Sequence, residues 1–287
     1  MKKVVFLFVI FVFAIYGCGS RKPNDDVQVV IFLKPKTLSN SILKSTASEA
    51  EKSIQKIVIF GSDDHNKVEK LEVIQSPPSN GIELTVSKDL TTFYVIANPS
   101  PELEAMNPLD IATLNGIIAD FTNAPQTPLL MSGKAEVTGG KFVHIELTRA
   151  VAKIEIIGLN DFVIQTATVM NTPDKGYVFD RGGTLPFVFG VVSYPQVSSA
   201  NPILYVAENT AINPTTFRLT GTFEGKQAEY DVVLKIGGNN IAILRNNHYQ
   251  VSITPKTEYD YEITITIPDW TDVKTDDHTI PDENFED

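Results

Sequence analysis

The sequence predicts an all-β protein with one short helix, built as β-sandwiches. Two observations carry this. Sixteen Phe, nine Tyr, seventeen Gly and seventeen Pro stand among abundant Val, Ile and Thr, a composition suited to pleated, half-buried surfaces joined by turns. Short apolar runs also recur at brief intervals between Gly, Pro, Asn and Asp, as strands of a sandwich do. At 287 residues and 43% hydrophobic content the chain suits one large or two ordinary domains with packed cores.

The first eighteen residues concern location. Met1-Lys2-Lys3 is a short positive segment, and Val4 to Ala14 is an apolar run too short to span about 30 Å of hydrocarbon comfortably. Together they have the charge and length of a secretory signal, residues 1–17. Ile15-Tyr16-Gly17-Cys18 resembles the bacterial lipobox, with Tyr16 bulkier than the usual spacer. Cys18 is therefore the expected lipidation site and new N-terminus. Each buried CH2 of an acyl chain is worth about 0.8 kcal/mol, so several chains hold a protein firmly on a membrane. Gly19 stands where an aspartate favours inner-membrane retention, so the expected address is the outer membrane, surface-exposed.

After a linker over 18–26, Val27 to Lys34 reads as a strand buried on both sides, with Val27, Val29, Ile31 and Leu33 on one face. Pro35 to Lys52, rich in Ser, Thr, Lys and Glu, reads as an exposed linker. Strand character returns at Gln55–Phe60, Ile82–Val86 and Thr92–Ala97. Asn107-Pro108 opens the helix, with Asn as cap; Ile111, Leu114, Ile118 and Phe121 recur at helical spacing until Asn123-Ala124-Pro125. Leu129–Glu136 and Lys141–Leu147 form a hairpin around Gly139-Gly140, with Val143, Ile145 and Leu147 inward. A second series follows at Ala150–Ile157, Phe162–Met170, Phe187–Val192, Ile203–Ala207, Thr216–Phe223, Glu229–Ile236, His248–Thr254 and Tyr261–Ile267. The expected domains are 27–146 and 147–270, followed by an acidic tail, 271–287.

Charge and motif content exclude more than they assign. With 24 basic against 35 acidic side chains the chain is no nucleic-acid binder, and losing Lys2 and Lys3 with the signal makes it more acidic still. A single cysteine leaves no disulfide framework and no Cys-based zinc site within one chain. His65, His144, His248 and His278 are scattered, no serine sits in a nucleophile elbow, and Gly139-Gly140-Lys141-Phe142 lacks the rest of a phosphate loop. Asp276, Asp277, Asp282, Glu283, Glu286 and Asp287 lack the spacing of a calcium loop and read as a solvated tail. No catalytic, metal or cofactor residue is expected, and no enzymatic activity.

Several segments, in order, resemble the Bacteroidales fimbrillins, the subunits of type V pili. Asp26-Val27-Gln28-Val29-Val30-Ile31-Phe32-Leu33-Lys34 is similar to the family's first strand. Lys56-Ile57-Val58-Ile59-Phe60 and Phe93-Tyr94-Val95-Ile96-Ala97-Asn98 resemble its next core strands. Leu147-Thr148-Arg149-Ala150-Val151-Ala152-Lys153-Ile154-Glu155-Ile156 resembles the junction into the second domain. Leu204-Tyr205-Val206-Ala207-Glu208-Asn209, Arg245-Asn246-Asn247-His248-Tyr249-Gln250-Val251 and Ile267-Pro268-Asp269-Trp270 match later elements.

The resemblance implies two tandem transthyretin-like β-sandwiches, export as a lipoprotein and assembly by protease-triggered strand exchange. A trypsin-like protease cuts after the first strand, and another subunit's C-terminal segment fills the groove, a case of β-augmentation. The implied partners are other fimbrial subunits, the outer membrane through the lipid on Cys18 before processing, and a host protein or glycan. Stalk subunits of the family are cut after arginine. Here the segment offers only Lys36, Lys44 and Lys52, and the Lys44-Ser45 bond lies nearest the expected position. Absence of a cut would suit a non-polymerising anchor. The tail's apolar residues Trp270, Val273, Ile280 and Phe285 are interspersed with acids, so its role as donor strand stays open. Arg149, Lys153 and Glu155 are expected on a strand's polar face, Glu208 and Asn209 at a strand end, Tyr249 and Trp270 in packing. The alternative, a free-standing surface lipoprotein that binds glycan or protein, looks to Tyr177, Tyr194 and Tyr259 as exposed aromatics.

Overall fold

The structure, a computed structural model, describes residues 26–36, 44–137, 140–187 and 190–271. Cys18 and residues 272–287 lie outside them. In chain order the N-terminal strands are β1 (Asp26–Pro35), β2 (Lys44–Thr46), β3 (Lys56–Asp63), β4 (Val68–Gln75), β5 (Ile82–Ser87) and β6 (Leu90–Ala97). There follow β7 (Ile118–Asp120), β8 (Met131–Glu136) and β9 (Phe142–Arg149). Seven of them form one sheet in the order β4-β3-β6-β8-β9-β1-β5. Alternation along each strand sends one set of side chains inward, so Ile31, Ile57, Ile59, Phe93, Val95 and Ile145 share a single core. β8 passes β9 closely at Gly133, where a Cβ would stand 2.1 Å from the Glu146 carbonyl oxygen. Only glycine fits there.

The C-terminal half begins with β10 (Val151–Gly158) and β11 (Val163–Met170). Four short strands follow: β12 (Thr172–Pro173), β13 (Lys175–Tyr177), β14 (Val191–Val192) and β15 (Val197–Ser198). Then come β16 (Ile203–Ala207), β17 (Thr216–Phe223), β18 (Lys226–Val233), β19 (Lys235–Ile236) and β20 (Asn239–Asn240). The last are β21 (His248–Pro255), β22 (Tyr261–Thr266) and β23 (Asp269–Thr271). Two four-stranded sheets, β16-β10-β21-β22 and β15-β11-β17-β18, enclose Ile154, Ile164, Phe217, Leu219, Tyr230 and Val251 as a sandwich. A third cluster joins the halves: Phe60, Tyr94 and Ile96 from the other face of β3 and β6 meet Val151, Ala207 and Trp270. That is why Ile57-Val58-Ile59-Phe60 is apolar throughout rather than alternating.

The all-β class holds, with three short helices in place of one among the described residues: α1 (Glu49–Lys52), α2 (Pro101–Ala105) and α3 (Ile111–Asn115). The helix expected from Asn107-Pro108 starts later, because Asp110 caps it by accepting the Thr113 amide at 2.8 Å. It also ends early: Ile118–Asp120 is taken up as β7 by pairing with β13, which leaves Ile118 39% exposed. Tertiary pairing overrides a three-residue helical period there. The strand expected over Phe187–Val192 shrinks to Val191–Val192, and Phe187 is 98% exposed. β4, whose Val-Glu-Lys-Leu-Glu-Val mixes charge and apolar residues without clean alternation, was not anticipated; it is an edge strand and tolerates that mixture.

The two ends of β1 differ in burial, and its mutational sensitivity follows. Ile31→Ala is expected to cost about 2–5 kcal/mol and Val27→Ala less than about 1 kcal/mol. The check is a shift in the urea midpoint at unchanged slope.

Candidate strand-exchange site

β1 is an interior strand. It pairs antiparallel with β5, Asp26 opposite Ser87 through Ile31 opposite Ile82, and parallel with β9, Val30 opposite Phe142 through Pro35 opposite Leu147. Of the four side chains expected to fill pockets, Val29 and Ile31 are buried, Leu33 is half-buried and Val27 is 42% exposed. The strand is thus sealed on one side over its middle, not buried on both faces. Its outer face is covered in part: Phe32 stacks on His144 with ring centres 5.0 Å apart and meets Phe142 at 6.0 Å. Gly81, at φ +106°, lets β5 begin against this face, since a Cβ would stand 2.7 Å from Val30 Cγ1. β9 starts opposite Val30, so the first four residues of β1 are paired on the β5 side, next to a cleft of about 400 Å³ lined by Val27, Val29, Val86, Leu90, Phe93 and Val137 among others.

β1 ends at a junction between the halves. The Lys36 amide donates to the Leu147 carbonyl at 2.7 Å, and the Asn246 side-chain amide donates to the Lys36 carbonyl at 3.2 Å. β2 runs parallel to β23 with Lys44 opposite Asp269, Ser45 opposite Trp270 and Thr46 opposite Thr271. Ala47 is buried in the bridging core, and Ser48 and Glu51 close a capping box on α1. The stretch expected as an exposed linker is therefore docked at its C-terminal end. Its polar composition misled because the residue that anchors it is itself a charge.

Glu51 is 1% exposed. Its carboxylate accepts from the Tyr205 hydroxyl at 2.7 Å, the Ser48 amide at 2.6 Å and the Trp270 indole at 3.4 Å, and Lys153 Nζ stands 3.0 Å away. Burial pushes this carboxyl up. The Tyr205 hydroxyl, the Ser48 amide and Lys153 together pull it further the other way, so it rests below its ordinary value. Tyr205 is raised by burial and by donating to that carboxylate. Trp270 contacts Tyr205, stacked at 6.2 Å, and the Arg149 guanidinium, 4.4 Å from the ring centre. Arg149 Nε also donates to the Glu51 carbonyl at 3.3 Å and Nη1 to Asn246 Oδ1 at 3.2 Å.

Arg149 and Lys153, expected on a polar face, are 0% and 6% exposed. Partners from both halves meet that face: Glu51 from the first, Asn246 and Trp270 from the second. Glu155 is half-buried, 3.0 Å from His248 Nε2. Burial and the Lys153 charge press His248 down to about 4, against the pull of Glu155. Glu208 and Asn209 follow β16 directly, as expected of a strand end, and Glu208 binds the buried Arg245, whose Nε donates to it at 2.6 Å. Arg245 also donates to the carbonyls of Tyr177 and Val178, at 2.7 and 3.1 Å. Tyr249 and Trp270 pack, each 1% exposed. Of the aromatics proposed for glycan contact, Tyr194 is buried, its hydroxyl donating to the Phe121 carbonyl; Tyr259 is 90% exposed and Tyr177 half-buried. The tail residues Val273, Ile280 and Phe285 lie outside the described residues, while Thr271, counted with the tail, belongs to β23.

The chain is all-β, an N-terminal seven-stranded sheet followed by a sandwich of two four-stranded sheets. No protein-family model matches the sequence, and no curated protein matches it. Solved structures do. A candidate cell adhesion protein from Bacteroides eggerthii superposes with a TM-score of 0.62 at 17% identity, over 85% of this chain and 96% of that one. A C-terminally truncated tip fimbrial protein from Porphyromonas gingivalis gives 0.59 at 18% identity, over 85% and 100%. A fimbrial assembly protein from Parabacteroides distasonis gives 0.56 at 16%, over 84% and 98%. The expected likeness to the fimbrillins is met at the level of the fold.

The junction makes the fold acid-sensitive. Glu51, held below its unfolded value of 4.5, contributes stability that is present above that value and lost as pH falls through its lower folded value. His248, near 4 when folded and 6.5 when unfolded, binds more proton in the unfolded chain between those values, so stability falls there as pH drops. The melting temperature should decline from pH 7 to 4, and His248→Asn should flatten the part between 6.5 and 4, read by thermal melts across that range.

Proposed function

We propose that the chain is a structural subunit of a surface fimbrium, exported as a lipoprotein on Cys18, cut between Lys44 and Ser45, and assembled by exchange of its first strand. The observation that carries this is the place of β1, held on both edges by β5 and β9. Its departure frees the β5 edge along Asp26–Ile31 and the β9 edge along Val30–Pro35, overlapping at Val30 and Ile31, and an extended segment of another subunit fills the slot by main-chain pairing. Val29 and Ile31 are its two sealed side chains, so refilling their sites contributes about 3–6 kcal/mol before entropic costs, with less from Val27 and Leu33. The emptied slot is an aggregation-prone edge, which favours cutting and refilling together. The shared fold of fimbrial proteins supports a subunit or anchor role over an enzymatic one.

The second reading is a lipid-held anchor that is never cut. One observation favours it: the Lys44–Thr46 segment sits in a ladder rather than on an open loop. Mass spectrometry of protein recovered from the native cell surface separates the two. The first reading expects an N-terminus at Ser45 and ladders on a denaturing gel; a retained, acylated Cys18 without ladders assigns the anchor. Lys44→Gln is expected to abolish the Ser45 terminus and the ladders together while leaving the melting temperature within about 2 °C, because a substitution that keeps length and polarity is worth about 0.5 kcal/mol or less.

A further inference from the structure

We propose that the β2–β23 ladder is a gate on the Lys44–Ser45 bond, which opens to a protease only when the C-terminal strand lets go. The proposal rests on the reading of Lys44 as the processing point and adds what controls it. An endoprotease binds its substrate extended over several residues on both sides of the bond, so a bond inside a ladder is cut from a locally opened state. On the far side of this bond Ser45 and Thr46 are in register with Trp270 and Thr271, Ala47 is 1% exposed, and Ser48 is tied into the capping box with Glu51.

The partner strand is held by more than the ladder. Trp270 is 1% exposed and is held by the Tyr205 ring, the Arg149 guanidinium and the Glu51 carboxylate. Opening β2 while β23 stays in place breaks the ladder and the capping box and brings Ala47 into water. With β23 withdrawn, the ladder and the Trp270 contact to Glu51 are already gone, and the remaining cost is smaller. The coupling is mutual, as any linkage is: once β2 drifts off, β23 has lost its partner edge. A subunit whose C-terminal strand has been drawn away is therefore the subunit whose first strand becomes removable, which orders the two events.

The test uses the mature full-length chain with lysyl endopeptidase under native conditions, following each cut by intact mass. Trp270→Ala is expected to speed the cut after Lys44 by on the order of tenfold or more over wild type, with cuts after the exposed Lys226 and Lys235 unchanged. Equal Lys44 rates in the two proteins would overturn the gate. A rise shared by all three lysines would also overturn it, since Trp270 would then act on the whole fold. Hydrogen exchange in the wild-type protein needs no variant: the amides of the 45–46 and 270–271 pairs should open with the same free energy, and protection of 270–271 with rapid exchange at 45–46 counts against the gate. These rates are independent of whether a surface protease ever cuts the chain. A native N-terminus at Cys18 would remove the processing reading and leave the gate to be judged on the rates alone.

Discussion

Everything proposed for this protein depends on one constraint, the pairing of its first strand on both edges. An edge strand peels away and leaves one ladder exposed; an interior strand leaves two, and the gap has the width and polarity of the strand that left. β1 runs antiparallel to β5 and parallel to β9, so a replacement that keeps both ladders has only one direction available. The side chains reinforce the backbone unevenly. Ile31 and Val29 are sealed, whereas Val27 looks onto an apolar cleft beside the strand's open beginning. Replacement from that end meets a partly formed site before it meets a sealed one.

The second constraint is electrostatic. A carboxylate taken out of water is tolerated only when its oxygens are fully met, and Glu51 meets donors from four places in the chain: Ser48, Lys153, Tyr205 and Trp270. Nearby, buried Arg245 pairs with Glu208 and buried Arg149 with Asn246. Replacing one member of such a group strands the others, so the junction is held to one geometry more tightly than an apolar joint of the same size. The segment that leads from the first strand into the body of the protein is thereby fastened to β23.

Much of this fold was legible residue by residue. Thr216–Phe223 alternates and is a strand with the bounds expected; Val143, Ile145 and Leu147 point inward as their spacing requires. The Leu147–Ile156 block was recognisable as a junction. What it does there was not, because a lone strand reading Arg-Ala-Val-Ala-Lys has a polar face, and only distant partners turn that face into an interior: Arg149 donates to Glu51, 98 positions before it, and to Asn246, 97 positions after it. Lys44–Lys52 failed for the same reason, its composition being that of a solvated loop. The helix after Asn107 failed locally, since Asp110 rather than Asn107 caps it and a non-local strand, β13, claims Ile118–Asp120.

Trp270 is the chain's sole tryptophan. Because it contacts a tyrosine ring and a guanidinium at the joint of the two halves, indole emission from this protein is a single-site optical label that nature has already installed. Its wavelength and quantum yield report the state of that joint and of nothing else, in solution, on vesicles or within an assembled fibre, without a dye or an added residue.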